Sequence, residues 1–514
     1  MSDFQTVRQW LEYQATARPE QDFLIAPETN YRLNFGDLAA SARSLANAFS
    51  SRGVQPGSHV AWLLPNGRQV VQLFVGCMAA GYVATLLSLL AQPAQLAYVL
   101  DHADCRLVLV SAEHRDRLNE ALKLIDRAVE VLVVDPDSSS FGDDVPTAAW
   151  HLAPPTAETP ALLMYTSGTT GRPKGVLLSH GNVTAGASFV REAHQLTPRD
   201  RVLAVLPMYH INAQIVTVLA VLVSGGSLVM PQRFSVAGFW GQASRFRCTW
   251  LNVVPTMIAY LLQDENPVGL DLAALRFCRS ASAPLAPEHH RAFEARFGIG
   301  IIETMGLTET AAPVFTNPLD PARRRLGSAG QAFGNAARTV NPENGQKIED
   351  GRIGEIQIRG PNVMAGYYKA AEETAKAFAE DGWLRTGDLG YCDPDGFYFI
   401  TGRLKELIIK GGENIAPREI DEVLLSHPAV LEAAATAVPD PMYGQEILAG
   451  VVLKPGCKCA EASLRAYCQE RLGRYKTPRY FRFMASLPKG PSGKIQRLKI
   501  LDETPGAIDQ ALKP

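Results

Sequence analysis

The chain of 514 residues is too long for one compact core, which predicts two or more domains. Its apolar fraction of 46% and charged fraction of 20% exclude a largely disordered protein. A net charge of −2 leaves no overall field that would attract nucleic acid or an anionic membrane. Any nucleotide ligand would therefore have to be held by local groups.

The N-terminal residues MSDFQTVRQWLEYQ have the pattern of a polar, amphipathic helix, so no signal peptide is expected. The uncharged stretch over residues 69–100 is nearly long enough to span a bilayer, but glycines, glutamines and a proline interrupt it. A buried helix followed by a buried strand of a parallel α/β core explains this stretch better. We therefore expect no membrane span.

Strand-like apolar runs alternate with helical patterns through the first part of the chain. The runs are VAWLLP (60–65), RLVLVS (106–111) and VEVLVVD (129–135), each separated from the next by a segment of helical character. This alternation predicts doubly wound α/β layers.

Eight cysteines are scattered along the chain, and only Cys457 and Cys459 lie close together. A lone C-x-C pair is a weak metal signal, and no second pair of ligands lies nearby. We interpret the cysteines as reduced thiols, which predicts a cytoplasmic protein.

The composition changes near residue 403. Beyond it, APREIDEVLLSHP (416–428) has the features of a capped helix, with a proline at its start and acids in its first turn. The segments VLEAAATAV (430–438) and EILAGVVL (446–453) have the pattern of strands. We therefore predict a large domain over 1–403, a hinge close to Lys405, and a small α+β domain over 404–514.

The segment YTSGTTGRPKG (165–175) is the strongest local signal for chemistry. It follows the strand-like run TPALLM, and its glycines let the backbone approach a ligand closely. Hydroxyl groups, backbone N–H groups and a lysine can together cradle phosphates. It is not a Walker A loop, because glycine rather than serine or threonine follows its lysine. The predicted phosphate-binding residues are Thr166, Ser167, Gly168, Thr169, Thr170 and Lys174.

This segment resembles the phosphate loop of the acyl-adenylate-forming superfamily, which includes acyl-CoA synthetases, peptide-synthetase adenylation domains and beetle luciferases. Further motifs of that superfamily follow in the expected order, and the resemblance covers nearly the whole chain. It implies a large N-terminal domain of doubly wound α/β layers with a β-barrel-like subdomain, and a small, mobile C-terminal domain. These motifs are MGLTE (305–309), TGDLG (386–390), GRLKELIIKGGEN (402–414) and PKGPSGKIQR (488–497).

The resemblance implies roles for residues in three of these motifs. Thr308 would contact the α-phosphate and Glu309 would help to hold Mg²⁺, a hard cation that prefers oxygen ligands. Asp388 would accept hydrogen bonds from the ribose hydroxyls, and Arg403 would also reach the ribose. Met305 departs from the family pattern, which has an aromatic residue against adenine, but methionine can still pack on an aromatic face.

Two further segments are similar to family segments near adenine and the acyl group. FCRSASAPL (277–285) resembles the turn beneath adenine, where small residues allow close approach. LPMYHINAQ (206–214) resembles the segment that borders the acyl pocket, here through His210, although a hydrogen-bonded histidine at an element end is equally consistent. The further residues predicted to bind the nucleotide are Ser282, Ala283 and Pro284 of the first segment, and Gly306 of MGLTE.

The C-terminal motifs imply the catalytic lysine and the moving parts. Lys494 would neutralise the carboxylate and the developing phosphoryl charge during adenylation; taken alone, its segment would be a solvated basic loop. Lys405 would be the pivot of a domain rotation. The face that carries Gly411 and Gly412 would serve thioester formation with coenzyme A.

The implied reaction is ATP-dependent acid–thiol ligation. A carboxylic acid is activated as acyl-AMP with release of pyrophosphate, and coenzyme A then forms the thioester with release of AMP. Because the first step is an in-line displacement, the protein chiefly positions the reactants and stabilises charge. The expected ligands are ATP, Mg²⁺, coenzyme A and a small carboxylic acid, without nucleic acid.

Three alternatives stay open at this point: an enzyme that loads a separate carrier protein, a luciferase-type oxygenase, and a non-catalytic binding protein. The single adenylating unit and the GGEN form of the hinge loop favour a free-standing CoA ligase. The segment PMYHINAQ, and FWGQ around Trp240, are similar to crotonobetaine/carnitine–CoA ligases, which indicates a small or medium acid. A betaine, a fatty acid, a dicarboxylate and an aromatic acid all remain open, as does a homodimer.

Overall fold

The computed structural model describes residues 4–137, 149–166, 173–263, 269–490 and 495–501. These residues form a sheet of thirteen strands, a sheet of seven, and two small sheets of three and two strands. The strands are β1 (Asp22–Ala26), β2 (Tyr31–Asn34), β3 (His59–Leu63), β4 (Val83–Leu86), β5 (Leu107–Val110), β6 (Glu130–Val133), β7 (Pro160–Thr166), β8 (Lys174–Ser179), β9 (Arg201–Ala204), β10 (Ser227–Val229), β11 (Trp250–Val253), β12 (Phe277–Ser280), β13 (Ile301–Leu307), β14 (Ala312–Thr316), β15 (Gly330–Ala332), β16 (Ala336–Val340), β17 (Gly354–Arg359), β18 (Gly366–Tyr367), β19 (Leu384–Cys392), β20 (Phe397–Arg403), β21 (Ile408–Lys410), β22 (Glu413–Ile415), β23 (Val430–Asp440), β24 (Gly444–Leu453) and β25 (Tyr480–Phe483).

Helices cover the faces of the two large sheets, as the alternating sequence pattern predicts. They are α1 (Val7–Ala17), α2 (Phe35–Ser51), α3 (Arg68–Ala80), α4 (Pro93–His102), α5 (Arg115–Leu122), α6 (His180–Ala193), α7 (Ala220–Ser224), α8 (Val236–Arg245), α9 (Pro255–Leu261), α10 (Pro287–Phe297), α11 (Ala371–Ala377), α12 (Pro417–Leu425) and α13 (Glu461–Lys476). A π-helical segment, Asn212–Leu219, precedes α7. Such segments often mark functional sites.

The largest apolar core joins side chains of both large sheets with those of α1, α2, α3, α6 and α7. The uncharged stretch contributes α3, which is buried from Gln69 to Ala80, and the fully buried strand β4. The prediction of a buried helix followed by a buried strand is therefore confirmed. Among the described helices, none combines the length and the apolar character that a membrane crossing requires.

The thirteen-stranded sheet combines a parallel and an antiparallel part. Strands β1, β10, β9, β11, β12 and β13 are parallel neighbours in that order. From β13 onward the order β14-β15-β20-β19-β17-β16 is antiparallel. The carboxyl ends of β12 and β13 therefore lie where the sheet changes direction, and in open α/β sheets ligands bind beyond the carboxyl ends of strands.

The antiparallel part corrects one detail of the expected fold. A β-barrel-like subdomain was expected there, but the described strands continue the large sheet and do not close into a barrel. Closure would require β16 to pair with β14 at the other end of the run. The second edge of β14 is already occupied by β13, so β16 stays at the edge, and β17 is its only partner among the described strands.

The seven-stranded sheet runs in the order β18-β8-β7-β4-β3-β5-β6. Strands β7 and β8 form an antiparallel hairpin in which Thr166 lies opposite Lys174. This hairpin carries the two ends of the predicted phosphate loop. Strand β18 pairs with β8, with Tyr367 opposite Val176.

The C-terminal helices α12 and α13 pack with β21 to β24 around an apolar core of their own. This core includes Ile408, Ile420 and Leu424. Strand β20 ends at Arg403, and a short 3₁₀ turn, Leu404–Glu406, leads into the C-terminal strands. A domain boundary after residue 403 agrees with this arrangement and stays a prediction.

Candidate active site

A cavity of about 300 Å³ opens between the large antiparallel and parallel sheet regions and the C-terminal helix α12. Its walls come from the loop after β12, the second half of β13, the strands β19 and β20, and α12. We call this cavity the nucleotide cleft. Predicted nucleotide-binding residues that line it are Ser282, Ala283, Pro284, Met305, Gly306, Asp388 and Arg403.

The loop after β12 is fixed by hydrogen bonds on both sides. The Asn212 amide donates to the Ser282 hydroxyl over 3.2 Å, and Ser282 adopts a left-handed backbone conformation with φ of 75°. The backbone N–H of Leu285 donates to the Glu303 carboxylate over 3.1 Å. The loop therefore presents its small residues to the cleft from a constrained turn.

Strand β13 supplies the wall opposite this loop. A side chain at Gly306 would place its Cβ 1.9 Å from the carbonyl oxygen of Ala312, so only glycine permits this approach of β13 and β14. The neighbouring Met305 lines the cleft and packs against the apolar core of the antiparallel strands. Met305 is therefore part of the cleft wall, and its contact with adenine stays a prediction.

Asp388 and Arg403 lie directly opposite each other on β19 and β20. The Nε of Arg403 donates to Oδ1 of Asp388 over 2.8 Å, and this carboxylate raises the pKa of the Arg403 guanidinium. Asp388 is only 4% exposed, and its Oδ2 is buried without a hydrogen-bond partner in the described structure. A buried acceptor that faces a cleft can receive hydroxyl donors of a ligand.

Lys174, a predicted phosphate-binding residue at the β7–β8 hairpin, contacts two residues that the sequence analysis did not single out. Lys174 forms an ion pair with Glu373 of α11, and its ammonium lies 5.2 Å from the centre of the Tyr367 ring. The Tyr367 hydroxyl donates to Oε1 of Glu309 over 2.9 Å. Lys174 and Glu309 are therefore connected through one tyrosine, although 135 residues separate them in the sequence.

Thr308 and Glu309 lie in a 3₁₀ turn, Thr308–Thr310, directly after β13. The backbone carbonyl of Glu309 accepts from the N–H of Met364 over 2.8 Å, which ties this turn to the segment before β18. The two residues come directly after Leu307, which lines the nucleotide cleft, and do not line the cleft themselves. They stand between the nucleotide cleft and the hairpin that carries Lys174.

His210 lies outside the wall of the nucleotide cleft. Its ring packs edge-on against Tyr209, with ring centres 4.5 Å apart, just before the π-helical segment. Two residues later, Asn212 contacts Ser282 of the cleft. His210 therefore borders the cleft through its neighbours, and its predicted role at the acyl pocket stays a prediction.

Several predicted residues lie outside the described part of the chain: Ser167, Gly168, Thr169, Thr170 and Lys494. Residues that flank them are described. Thr166 and Lys174 face each other across the hairpin. Ile495 and Arg497 line the nucleotide cleft.

The hinge and the predicted CoA-binding glycines lie apart from the cleft wall. Lys405 is in the 3₁₀ turn between β20 and β21. Gly411 and Gly412 connect β21 to β22 with φ of 56° and 88°. Two successive left-handed residues make the tight hairpin turn that glycine favours.

Glu303 is a cleft residue that the sequence analysis missed. It is 4% exposed, and burial raises the pKa of its carboxyl to about 7. One carboxyl oxygen accepts from Leu285, whereas Oε2 has no partner in the described structure. No local pattern marks it, because a glutamate in an apolar strand becomes notable only once its burial is known.

Comparison with known proteins identifies the class. Residues 11–368 match the family model described as AMP-binding enzyme, and residues 419–494 match the AMP-binding enzyme C-terminal domain. The chain belongs to this family. A sulfoacetate–CoA ligase of Cupriavidus necator is 56% identical over 501 residues, covering 97% of this chain and 98% of the relative. An oxalate–CoA ligase of Arabidopsis thaliana is 34% identical, over 88% of this chain and 90% of the relative.

Solved structures also match the chain along nearly its full length. ATP-bound MatB from Rhodopseudomonas palustris matches with a TM-score of 0.89 at 30% identity, over 98% of this chain and 99% of that one. The anthranilate CoA ligase AuaEII, in complex with anthranoyl-AMP, matches with a TM-score of 0.91 at 27% identity, over 99% and 98% of the two chains.

Within the family, the chain is an AMP-forming acyl-CoA synthetase. It activates a carboxylic acid as acyl-AMP with release of pyrophosphate, and then forms the acyl-CoA thioester with release of AMP. The prediction of an acid–thiol ligase is confirmed, and loading of a carrier protein is not favoured.

Proposed function

We propose that this enzyme activates sulfoacetate, a two-carbon acid that carries a sulfonate as a second anionic group. The observation that carries the proposal is the 56% identity to a sulfoacetate–CoA ligase along nearly the full length of both chains. The oxalate–CoA ligase among the relatives supports an acid of similar size. Among the classes of acid that the sequence left open, sulfoacetate is most similar in size and charge to a dicarboxylate.

The nucleoside part of ATP would occupy the nucleotide cleft. The unpartnered Oδ2 of Asp388 would accept from a ribose hydroxyl, and Arg403 would donate to the other while it holds the Asp388 carboxylate. Adenine would lie between the loop after β12 and Met305, where small residues and Gly306 leave room for a flat ring. Bound in this way, the nucleotide would direct its α-phosphate toward Thr308.

Mg²⁺ fits the phosphate end through Glu309. The described residues contain no group of three or more His, Cys, Asp or Glu side chains that could hold a metal ion. Mg²⁺ is commonly bound by one or two carboxylates together with substrate phosphates and water, so a single carboxylate suits it. The hydrogen bond from Tyr367 fixes the Glu309 side chain. Bound Mg²⁺ would neutralise phosphate charge.

Lys174 would exchange partners when ATP binds. In the structure its ammonium pairs with Glu373, a half-buried carboxylate on α11. A triphosphate carries more negative charge than one carboxylate and would compete for the lysine. Thr166, across the hairpin from Lys174, would add its hydroxyl to the same phosphate site.

Lys494 would complete the adenylation site, and Lys405 would let the C-terminal part rotate so that Gly411 and Gly412 serve the thioester step. Ile495 and Arg497, which belong to the terminal motif, line the nucleotide cleft. This position supports the inference that the present arrangement of the C-terminal part serves adenylation. All eight cysteines are free thiols, which supports a reducing, cytoplasmic location.

Two measurements test this proposal. Pyrophosphate release should be fastest with sulfoacetate in a panel that includes oxalate, propionate and benzoate, and CoA should convert the product to a thioester. A preference for another acid would overturn sulfoacetate as the substrate.

Lys494→Ala should abolish acyl-AMP formation while largely sparing thioester formation from supplied acyl-AMP. The neighbouring basic residue Lys499, in the same C-terminal segment, offers a control as Lys499→Ala. Equal loss of both half-reactions in Lys494→Ala would contradict the role assigned to Lys494.

A further inference from the structure

Arg279 is a buried cation that the adenylation mechanism does not use. It lies on β12, three residues before Ser282 of the nucleotide cleft, and is only 2% exposed. Burial lowers the pKa of its guanidinium to about 9. Burying a charged group is costly unless other groups compensate it, so its partners need to be identified.

The partners of Arg279 are neutral. Its Nη1 donates to the side-chain oxygens of Asn212 and Asn252, each over 3.0 Å. Its Nε is buried without a hydrogen-bond partner, and no carboxylate of the described residues forms an ion pair with it. The guanidinium therefore has a free donor and an uncompensated positive charge.

The position of Arg279 joins this charge to the reaction site. It lines a small cavity of about 10 Å³ that shares Thr304 with the nucleotide cleft. The Thr304 hydroxyl is also buried without a partner. Asn212 links the two sites directly, since it accepts from Arg279 and donates to Ser282.

The rest of this small cavity is mostly apolar, and its other polar residues are His194, Thr304 and Thr316. Side chains from α6 and β14 close it, and no carboxylate of the described residues lines it. Its apolar residues include Phe189, Val190, Val314 and Phe333. At about 10 Å³ this cavity has room for at most one water molecule, so an acid would reach Arg279 only with a shift of the side chains around it.

Arg8 shows what a structural buried arginine looks like in the same protein. It is 4% exposed, donates to the backbone carbonyls of Ala79 and Leu152, and lies on the Trp150 ring at 4.1 Å. Those contacts join three segments of the chain. Arg8 also keeps one buried nitrogen, Nη2, without a partner. Arg279 differs in that it contacts two amide side chains, one of which also bonds Ser282 of the nucleotide cleft.

We propose that Arg279 determines acid specificity by binding the second anionic group of the substrate. The inference rests on the proposed function and names its recognition group. A guanidinium presents a planar fork of donors that matches the oxygens of a sulfonate or carboxylate. A site whose buried polar group is left unpaired by an analogue strongly rejects that analogue, so acids without the second anion are poor substrates.

The test is the ratio of kcat/KM for sulfoacetate to kcat/KM for propionate, which has a neutral end of similar length. In Arg279→Met this ratio should fall by at least about 100-fold, the cost of losing a charge-assisted bidentate contact. Activity with propionate should be retained or should increase. An equal loss with both acids, or an unchanged ratio, would overturn the proposal.

Two controls separate specificity from folding. Arg8→Met removes a buried arginine of structural type, and should lower the melting temperature without changing the ratio. A thermal shift on adding ATP alone reports whether the nucleotide cleft of each variant is intact. Where Arg279→Met fails to fold, Arg279→Lys retains the charge without the fork, and should lower the ratio by about 10-fold. An unchanged ratio in that variant would also overturn the proposal.

The experiments distinguish a wrong substrate assignment from a wrong role for Arg279. A wild-type enzyme that prefers oxalate to sulfoacetate would overturn sulfoacetate as the substrate, while loss of the preference for dianionic acids in Arg279→Met would still support Arg279. A wild-type preference for propionate over both dianionic acids would overturn the role of Arg279.

Discussion

The two ends of the ligand site differ in how their charges are balanced. At the ribose end, Asp388 and Arg403 neutralise each other over 2.8 Å, and one carboxylate oxygen remains for a hydroxyl. At the acyl end, Arg279 has only amide oxygens as partners. The first end suits an uncharged group, and the second suits an anion.

This difference indicates where specificity resides. In its proposed role, the Asp388–Arg403 pair would bind the sugar of the nucleotide without regard to the acid. An unbalanced cation gains stabilisation only from an anionic ligand, so it discriminates between acids. Changes at the ribose end should therefore affect all acids alike, whereas changes at Arg279 should alter the ranking of acids.

The largest effect is expected for Asp388→Ala. The substitution removes the buried ribose acceptor and the partner that orients the half-exposed Arg403, so kcat/KM for ATP should fall by about 100- to 1000-fold. The loss should be the same with sulfoacetate and propionate, measured by pyrophosphate release. Asp395→Asn, which removes an exposed partner of Arg325, is the control. A loss that depended on the acid would contradict the division between the two ends.

A pH-dependent effect is expected for Glu303. Its pKa is about 7 in the folded protein, above the ordinary value of 4.5, because burial disfavours the charged form. The free energy of unfolding should therefore decrease as pH rises from 4.5 to 7, since the folded state binds the proton more tightly. Glu303→Gln should remove this dependence and stabilise the protein by about 3 kcal/mol at pH 8.

Denaturant unfolding of both proteins at pH 4.5 and pH 8 checks this expectation. The variant and the wild type should differ little at pH 4.5, where the carboxyl is protonated in the folded state and half protonated in the unfolded state. Parallel pH profiles would contradict a buried carboxyl whose charging destabilises the fold.

A smaller effect is expected at the phosphate end. The Glu373 carboxylate pairs with Lys174, and this contact lowers the pKa of the carboxyl. Because the carboxylate competes with phosphate for the lysine, Glu373→Gln should lower KM for ATP by about two- to five-fold. Glu372→Gln, its neighbour on α11, is the matched control. A raised KM in Glu373→Gln would indicate that the carboxylate assists ATP instead.

The residues of the predicted nucleotide end lie in short motifs with a recognisable order, so the sequence could point to them. The structure gathers Ser282, Met305 and Asp388 into one cleft, and their nucleotide-binding roles stay predictions. The predicted helix and strand within residues 69–100 are also found, since their apolar pattern is local. The expectation of a barrel-like subdomain was wrong in detail. Whether a sheet closes into a barrel depends on which strand edges are already paired, and the sequence does not show this pairing.

The acyl end could not be predicted in the same way. Arg279 lies inside the quoted segment FCRSASAPL, yet nothing local distinguishes it from an ion-paired arginine. Its isolation depends on Asn212 and Asn252, which are 67 and 27 residues away in the sequence. The contact of Tyr367 with Glu309 spans 58 residues and has no sequence signal either.

A crystal structure with sulfoacetate and an ATP analogue whose α,β bond cannot be cleaved would test the central claim most directly. We predict that the ribose hydroxyls contact Asp388, and that sulfonate oxygens lie about 3 Å from the Arg279 guanidinium. A sulfonate bound elsewhere, with Arg279 still bonded only to Asn212 and Asn252, would contradict the account.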